Sequence, residues 1–129
     1  MGSLVDSGMS HNLNPITLNL VVLKSLNPVR AVKFYTCLGL NFTSHRHGKG
    51  PEHWAAEMSG GVFEIYPQTP ETPSTLGTRV GFRVPSVDSV IGRLIEFPDS
   101  VVSPTKDSEW GRRAVLVDPD GHKVELLEG

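Results

Sequence analysis

The chain closes on "VLVDPDGHKVELLEG", residues 115–129, and the reading of this stretch decides the fold. Asp118-Pro119-Asp120-Gly121 is a tight turn with each residue suited to its place. Proline presets φ near about −65° at the second turn position, and glycine accepts positive φ without a Cβ clash. The flanking runs of Val and Leu have strand character, so the C-terminus is a β-hairpin. Side chains alternate across a strand, which puts Val124 and Leu126 on one face and Lys123, Glu125 and Leu127 on the other. A glutamate amid apolar residues is either solvated or part of a site.

The same pattern occurs once before. "GGVFEIY" (60–66) lies over "GHKVELL" (121–127) at an offset of 61 residues, which sets Glu64 on Glu125, Gly60 on Gly121, Phe63 on Val124 and Ile65 on Leu126. That offset also lays "TLNLVVL" (17–23) over "TRVGFRV" (78–84). A helical segment follows each opening strand. Asn27 caps the first, Pro28 suits its first position, and Val29, Val32, Tyr35 and Leu38 recur at helical spacing before Gly39. Ser86 caps the second, whose stripe is Val87, Val90, Ile91, Leu94 and Ile95, and Pro98 blocks continuation.

Each half therefore reads strand, helix, three strands. The first half maps as strand 16–24, helix 28–38, and strands 40–46, 53–58 and 62–67. The second maps as strand 78–84, helix 86–96, and strands near 100–105, 113–117 and 122–127. "SVVSPT" holds Pro104 and reads as an edge strand or bulge. The class is α+β. Residues 1–13 read as tag and flexible tail, 14–67 as a first βαβββ module, 68–77 as a Pro- and Thr-rich linker, and 78–128 as a second module, within one domain.

With 129 residues, 38% hydrophobic and 20% charged, the chain has a globular composition. A net charge of −2 without a basic stripe argues against nucleic acid as a partner. No apolar run approaches the ~18 residues of a membrane span, and the opening residues lack the pattern of a signal peptide. Cys37 is the sole cysteine, which excludes an internal disulfide and fits a cytoplasmic location.

"VKFYTCLGLNF" (32–42), "DPDGHKVELLE" (118–128) and "WGRRAVLVDPDG" (110–121) resemble motifs of the vicinal oxygen chelate superfamily, the glyoxalase, bleomycin resistance and extradiol dioxygenase proteins. The resemblance runs from about residue 14 to residue 128. It implies two curved mixed half-sheets with helices outside and concave faces lining a cleft. It also implies a small-molecule ligand and a homodimer. Val62, Glu64, Tyr66, Arg79, Arg83, Lys123, Glu125 and Leu127 would then face the cleft, with Leu18, Leu20 and Val22 from the first strand.

Many such proteins hold a divalent metal through two opening-strand and two closing-strand residues. The closing positions carried across are Glu64 and Glu125, and the opening ones are Leu18 and Arg79. Leucine has no donor atom and arginine stays protonated, so the usual metal set is expected to be absent. If a metal binds, Glu64 and Glu125 are its family positions. Arg79 is expected to pair with one of these glutamates, which face each other across the cleft. "HRHGKGPEH" (45–53) supplies three further histidines, either as a metal site, with His53 as a general base, or as a polar hairpin tip.

Two functions fit. The first is a cleft that binds a partly planar neutral or anionic molecule without cofactor, using Leu18, Leu20, Trp54, Tyr66, Arg79, Arg83, Trp110 and Arg113. The arginines disfavour a cationic ligand. The second is a divalent-metal-dependent lyase, isomerase or dioxygenase working through Glu64, Glu125 and His53.

Overall fold

The computed structural model describes residues 15–129, so the expected tag lies outside the described residues. The first module runs β1 (Leu20–Ser25), α1 (Pro28–Thr36), β2 (Phe42–His45), β3 (His53–Met58) and β4 (Gly61–Pro67). The second runs β5 (Arg79–Val84), α2 (Val87–Arg93), β6 (Val101–Ser108), β7 (Gly111–Val117) and β8 (Lys123–Glu128). Each makes a four-stranded mixed sheet, ordered β1-β4-β3-β2 and β5-β8-β7-β6, and neither sheet closes into a barrel. The α+β class and the two βαβββ modules are as the sequence led us to expect.

Local chemistry sets the elements. The Asn27 and Ser86 side chains accept from the backbone N–H groups of Arg30 and Ser89. Gly60 and Gly121 adopt φ of 85° and 111° in matching turns before the two closing strands. α2 is shorter than the apolar stripe indicated, because Leu94 leaves helical geometry at the C-cap and exposes Ile95. β6 runs past Pro104 to Ser108 as the outer strand of its sheet, with register shifts against β7 between Val101 and Ser103 and between Ser103 and Lys106, the second spanning Pro104.

The repeat carries a two-residue slip. Leu20 pairs with Val62 in the first sheet, whereas Arg79 pairs with Lys123 in the second. The closing strands keep the offset of 61, but the opening strands and the caps Asn27 and Ser86 are related by 59. Leu20, not Leu18, is thus the register counterpart of Arg79. Because the slip is even, no residue changes face.

The modules meet through their helix-bearing sides. Phe63 and Phe82, from opposite sheets, pack at 5.4 Å between ring centroids, and Tyr35 of α1 touches both. Phe34 packs edge-on to Phe97 at 5.4 Å. One continuous core includes Leu23, Phe34, Tyr35, Phe63, Val90, Leu116 and Leu126. Both helices contribute residues to this core. Glu64 alternates with Phe63, and Glu125 with Val124 and Leu126, so the two carboxylates sit on faces that turn away from the common core. They do not face each other across a cleft within one chain.

Candidate functional site

Two outward faces result. On the first, His53 lies beside Tyr66 with ring centroids 4.3 Å apart and planes within 4°. The His45 and His47 rings lie 5.7 and 5.4 Å from that of His53. His53 Nε2 is 3.8 Å from Glu64 Oε2, too far for a hydrogen bond. His53 is buried, and its Nδ1 has no hydrogen-bond partner. Antiparallel register explains the grouping: His45 pairs with His53 across β2 and β3, and Ala55 pairs with Glu64 across β3 and β4.

Trp54 leaves this group. It pairs with Ile65, a core residue, and so faces the helix side of the sheet. The neighbour of a cleft-facing His53 must point the other way. Leu18 precedes β1 and, like Leu20, is exposed.

On the second face Arg79 and Arg113 both hydrogen-bond to Glu125, one to each carboxylate oxygen, Arg113 at 3.3 Å. The Arg79 guanidinium, with Arg113 beside it, holds the Glu125 carboxyl below its ordinary range. Glu125 and Arg113 border a cavity of about 570 Å³ that Arg83, Trp110 and Leu127 also line. Trp110 is 75% exposed, a large aromatic surface at the cavity edge. Glu64 belongs to the other face, so the expected Arg79 pairing is with Glu125.

The family metal set does not fit here. Arg79 brings a fixed positive charge onto Glu125, and Leu20 at the matching register offers no donor. A second carboxylate group, Asp118, Asp120 and His122, has donor atoms within 4.8 Å of one another. Its central member is already committed. Asp118 Oδ1 accepts the backbone N–H groups of Asp120, Gly121 and His122, while Oδ2 accepts from the Tyr35 hydroxyl at 2.6 Å and meets His122 Nδ1 at 2.8 Å. His122 Nε2 reaches Thr75 Oγ1 at 2.7 Å. This network locks the turn to α1 and to the segment before β5. His122 is a buried member of this network. It is 1% exposed, because Asp118 draws the ring inward. The signal available was the Asx turn itself, an aspartate followed by glycine three residues on.

Residues 18–126 match the Glyoxalase/Bleomycin resistance protein/Dioxygenase superfamily. No relative matches among curated proteins. Among solved structures the fold is similar to TnmS3, an antibiotic binding protein from Streptomyces sp. CB03234, with TM-score 0.68, 22% identity and coverage of 95% of this chain and 98% of that one. It is similar to the oxidase ChaP-H2, with TM-score 0.70, 20% identity and coverage of 88% and 94%. TioX from Micromonospora sp. ML1 gives TM-score 0.64, 26% identity and coverage of 84% and 94%. With its paired βαβββ modules and a family match over most of its length, the chain belongs to the Glyoxalase/Bleomycin resistance protein/Dioxygenase superfamily.

Proposed function

We propose that this chain is a cytoplasmic small-molecule-binding protein that acts as a homodimer and takes a partly planar, neutral or anionic ligand without a metal at the family position. The observation that carries the reading is the Arg79–Glu125–Arg113 cluster beside the exposed Trp110. Two guanidinium groups share one carboxylate, which leaves a surplus of positive charge at the cavity for an acidic or electron-rich group. Arg83 on the same face adds to it. Trp110 offers an indole face for stacking. Antibiotic binding by TnmS3 lends support to a binding role.

The homodimer follows from the sheet edges. β1 and β5 each have one neighbour. Ile16, Leu18 and Leu20, at or just before β1, are 99%, 80% and 49% exposed. An open edge with apolar side chains is a pairing surface. A β1 edge set against the β5 edge of a second copy brings the Glu64 face of one chain beside the Arg79–Glu125 face of the other. The cleft expected within one chain then forms between two.

A catalytic reading retains one specific observation, the approach of His53 to Glu64. A buried imidazole near a carboxylate can pass a proton, as a lyase or isomerase requires. ChaP-H2, an oxidase, shares the fold.

The test is a calorimetric panel of flat aromatic compounds that differ only in charge, against the parent and Trp110→Ala. Anionic or neutral members are expected to bind, at least tenfold more weakly in the variant. Preference for cationic members overturns the ligand class. Turnover of a bound member moves the assignment to the enzyme.

A further inference from the structure

We propose that Arg83 selects the charge of the molecule held in the cavity of the second module. That molecule is an aromatic monoanion whose ring lies over Gly81 against Trp110, while its carboxylate, or a group of like chemistry, pairs with Arg83. The proposal rests on the ligand-binding role given above and narrows its ligand class.

Charge is the first argument. Arg79 and Arg83 stand on one face of β5, and Arg113 on β7 reaches the same side. Arg79 and Arg113 are each committed to one oxygen of Glu125. Arg83 lines the cavity and forms no ion pair with the described residues. A guanidinium stays protonated and offers a planar fork of N–H donors that matches a carboxylate. Glu125 is the one acidic residue in the cavity lining, and two cations already share it, so it opposes an arriving anion little.

Shape is the second argument. Gly81 lies inside β5, between Arg79 and Arg83 on their face and opposite Glu125 in the parallel ladder. Its φ is outside the left-handed region, so the need that places Gly60 and Gly121 does not place this one. Glycine inside a strand weakens it, and often marks a close approach to the backbone. A Cβ here would meet nothing nearer than the Glu125 carbonyl oxygen, at 3.9 Å, so the space above Gly81 is open.

The third argument is the fixing of Trp110. Ser108 Oγ accepts the Trp110 backbone N–H at 3.3 Å and donates to the Gly111 carbonyl at 2.5 Å. This closes the β6–β7 turn at the cavity edge and holds the residue that carries the exposed indole. The indole and Leu127 supply apolar surface for a flat ring.

The experiment is calorimetric titration of 2-naphthoate and of its uncharged counterpart 2-naphthamide into the full chain. Arg83→Gln, Arg79→Gln and Gly81→Val are titrated alongside, with folding checked by circular dichroism. The parent is expected to bind 2-naphthoate at least tenfold more tightly than 2-naphthamide. Arg83→Gln should abolish that preference by weakening 2-naphthoate alone. Arg79→Gln, which leaves Glu125 paired with Arg113, should retain most of it. Gly81→Val should weaken both probes at least tenfold. Equal binding of the two probes by the parent overturns this proposal and leaves the ligand-binding role standing. So does a preference that survives Arg83→Gln or is lost in Arg79→Gln instead. Unchanged affinity in folded Gly81→Val overturns the placement of the ring. Binding of neither probe, or tighter binding of the cation 2-naphthylmethylammonium, overturns both this proposal and the ligand class it narrows.

Discussion

Two side chains show how placement decides chemistry. Arg79 and Asp118 each organise a polar cluster, but one lies in solvent and the other in the core. The Arg79–Glu125 pair is more than a third exposed on the arginine side, so salt screens it and its stabilising effect is small. Its effect on titration is clearer. The Glu125 carboxyl is held low chiefly by Arg79, so Arg79→Met should move its titration midpoint upward in a carbon-13 NMR experiment. An unmoved midpoint would assign the effect to Arg113. Since the folded value is depressed, the pair's contribution is complete above the ordinary carboxylate range and fades as pH falls through the folded midpoint. Asp118 behaves otherwise. It is 4% exposed and accepts three backbone N–H groups and a phenol. The Tyr35 hydroxyl is pushed far above its usual range by burial and by that carboxylate. Tyr35→Phe should cost about 1.5–3 kcal/mol and Asp118→Ala at least on the order of 3 kcal/mol in urea unfolding, because the alanine strands several buried donors.

At the scale of elements, each hairpin joins a packed face to a working face. β8 buries Val124 and Leu126 while presenting Glu125, and β4 buries Phe63 and Ile65 while presenting Glu64. Removing a packed residue should therefore disturb stability rather than binding. Phe63 is 1% exposed and touches Tyr35, Phe42 and Phe82. Phe63→Ala should cost about 3–5 kcal/mol, since the cavity opens where two modules and a helix meet. A loss below about 1 kcal/mol would mean that the modules are not coupled through this contact. The β2–β3 hairpin is the exception to the division of faces, because its outer side combines a buried histidine with exposed ones.

The whole molecule is two sheets back to back with their outer faces open. Such a chain has two outward faces and four edge strands, β1, β2, β5 and β6. Leu20 sits on the β1 edge and is half-exposed. Leu20→Lys should convert the proposed dimer to a monomer in sedimentation velocity at micromolar concentration, with little change in the unfolding of the single chain. A parent that sediments as a monomer throughout would remove the two-copy cleft from the proposed function. No helix among the described residues is long and apolar enough to cross a membrane.

The sequence by itself determined the elements, their turns and the face on which each strand residue lies. Alternation in "VFEIY" and "KVELL" depends on backbone geometry alone, and Gly60 and Gly121 mark their turns because positive φ is a local need. Arg79 and Glu125 were legible as partners because both stand on one face of neighbouring strands. Three things were not legible. The two-residue slip that matches Leu20 to Arg79 depends on ladder pairing, which an even shift leaves invisible to face patterns. The direction in which the modules pack depends on which apolar faces meet, and both helix-bearing faces are apolar whether they meet each other or a second copy. The burial of His122 depends on the inward turn of Asp118 toward Tyr35, 83 residues away in the chain. Long-range contacts of this kind are selected by packing of the whole core, and no short stretch of sequence encodes them.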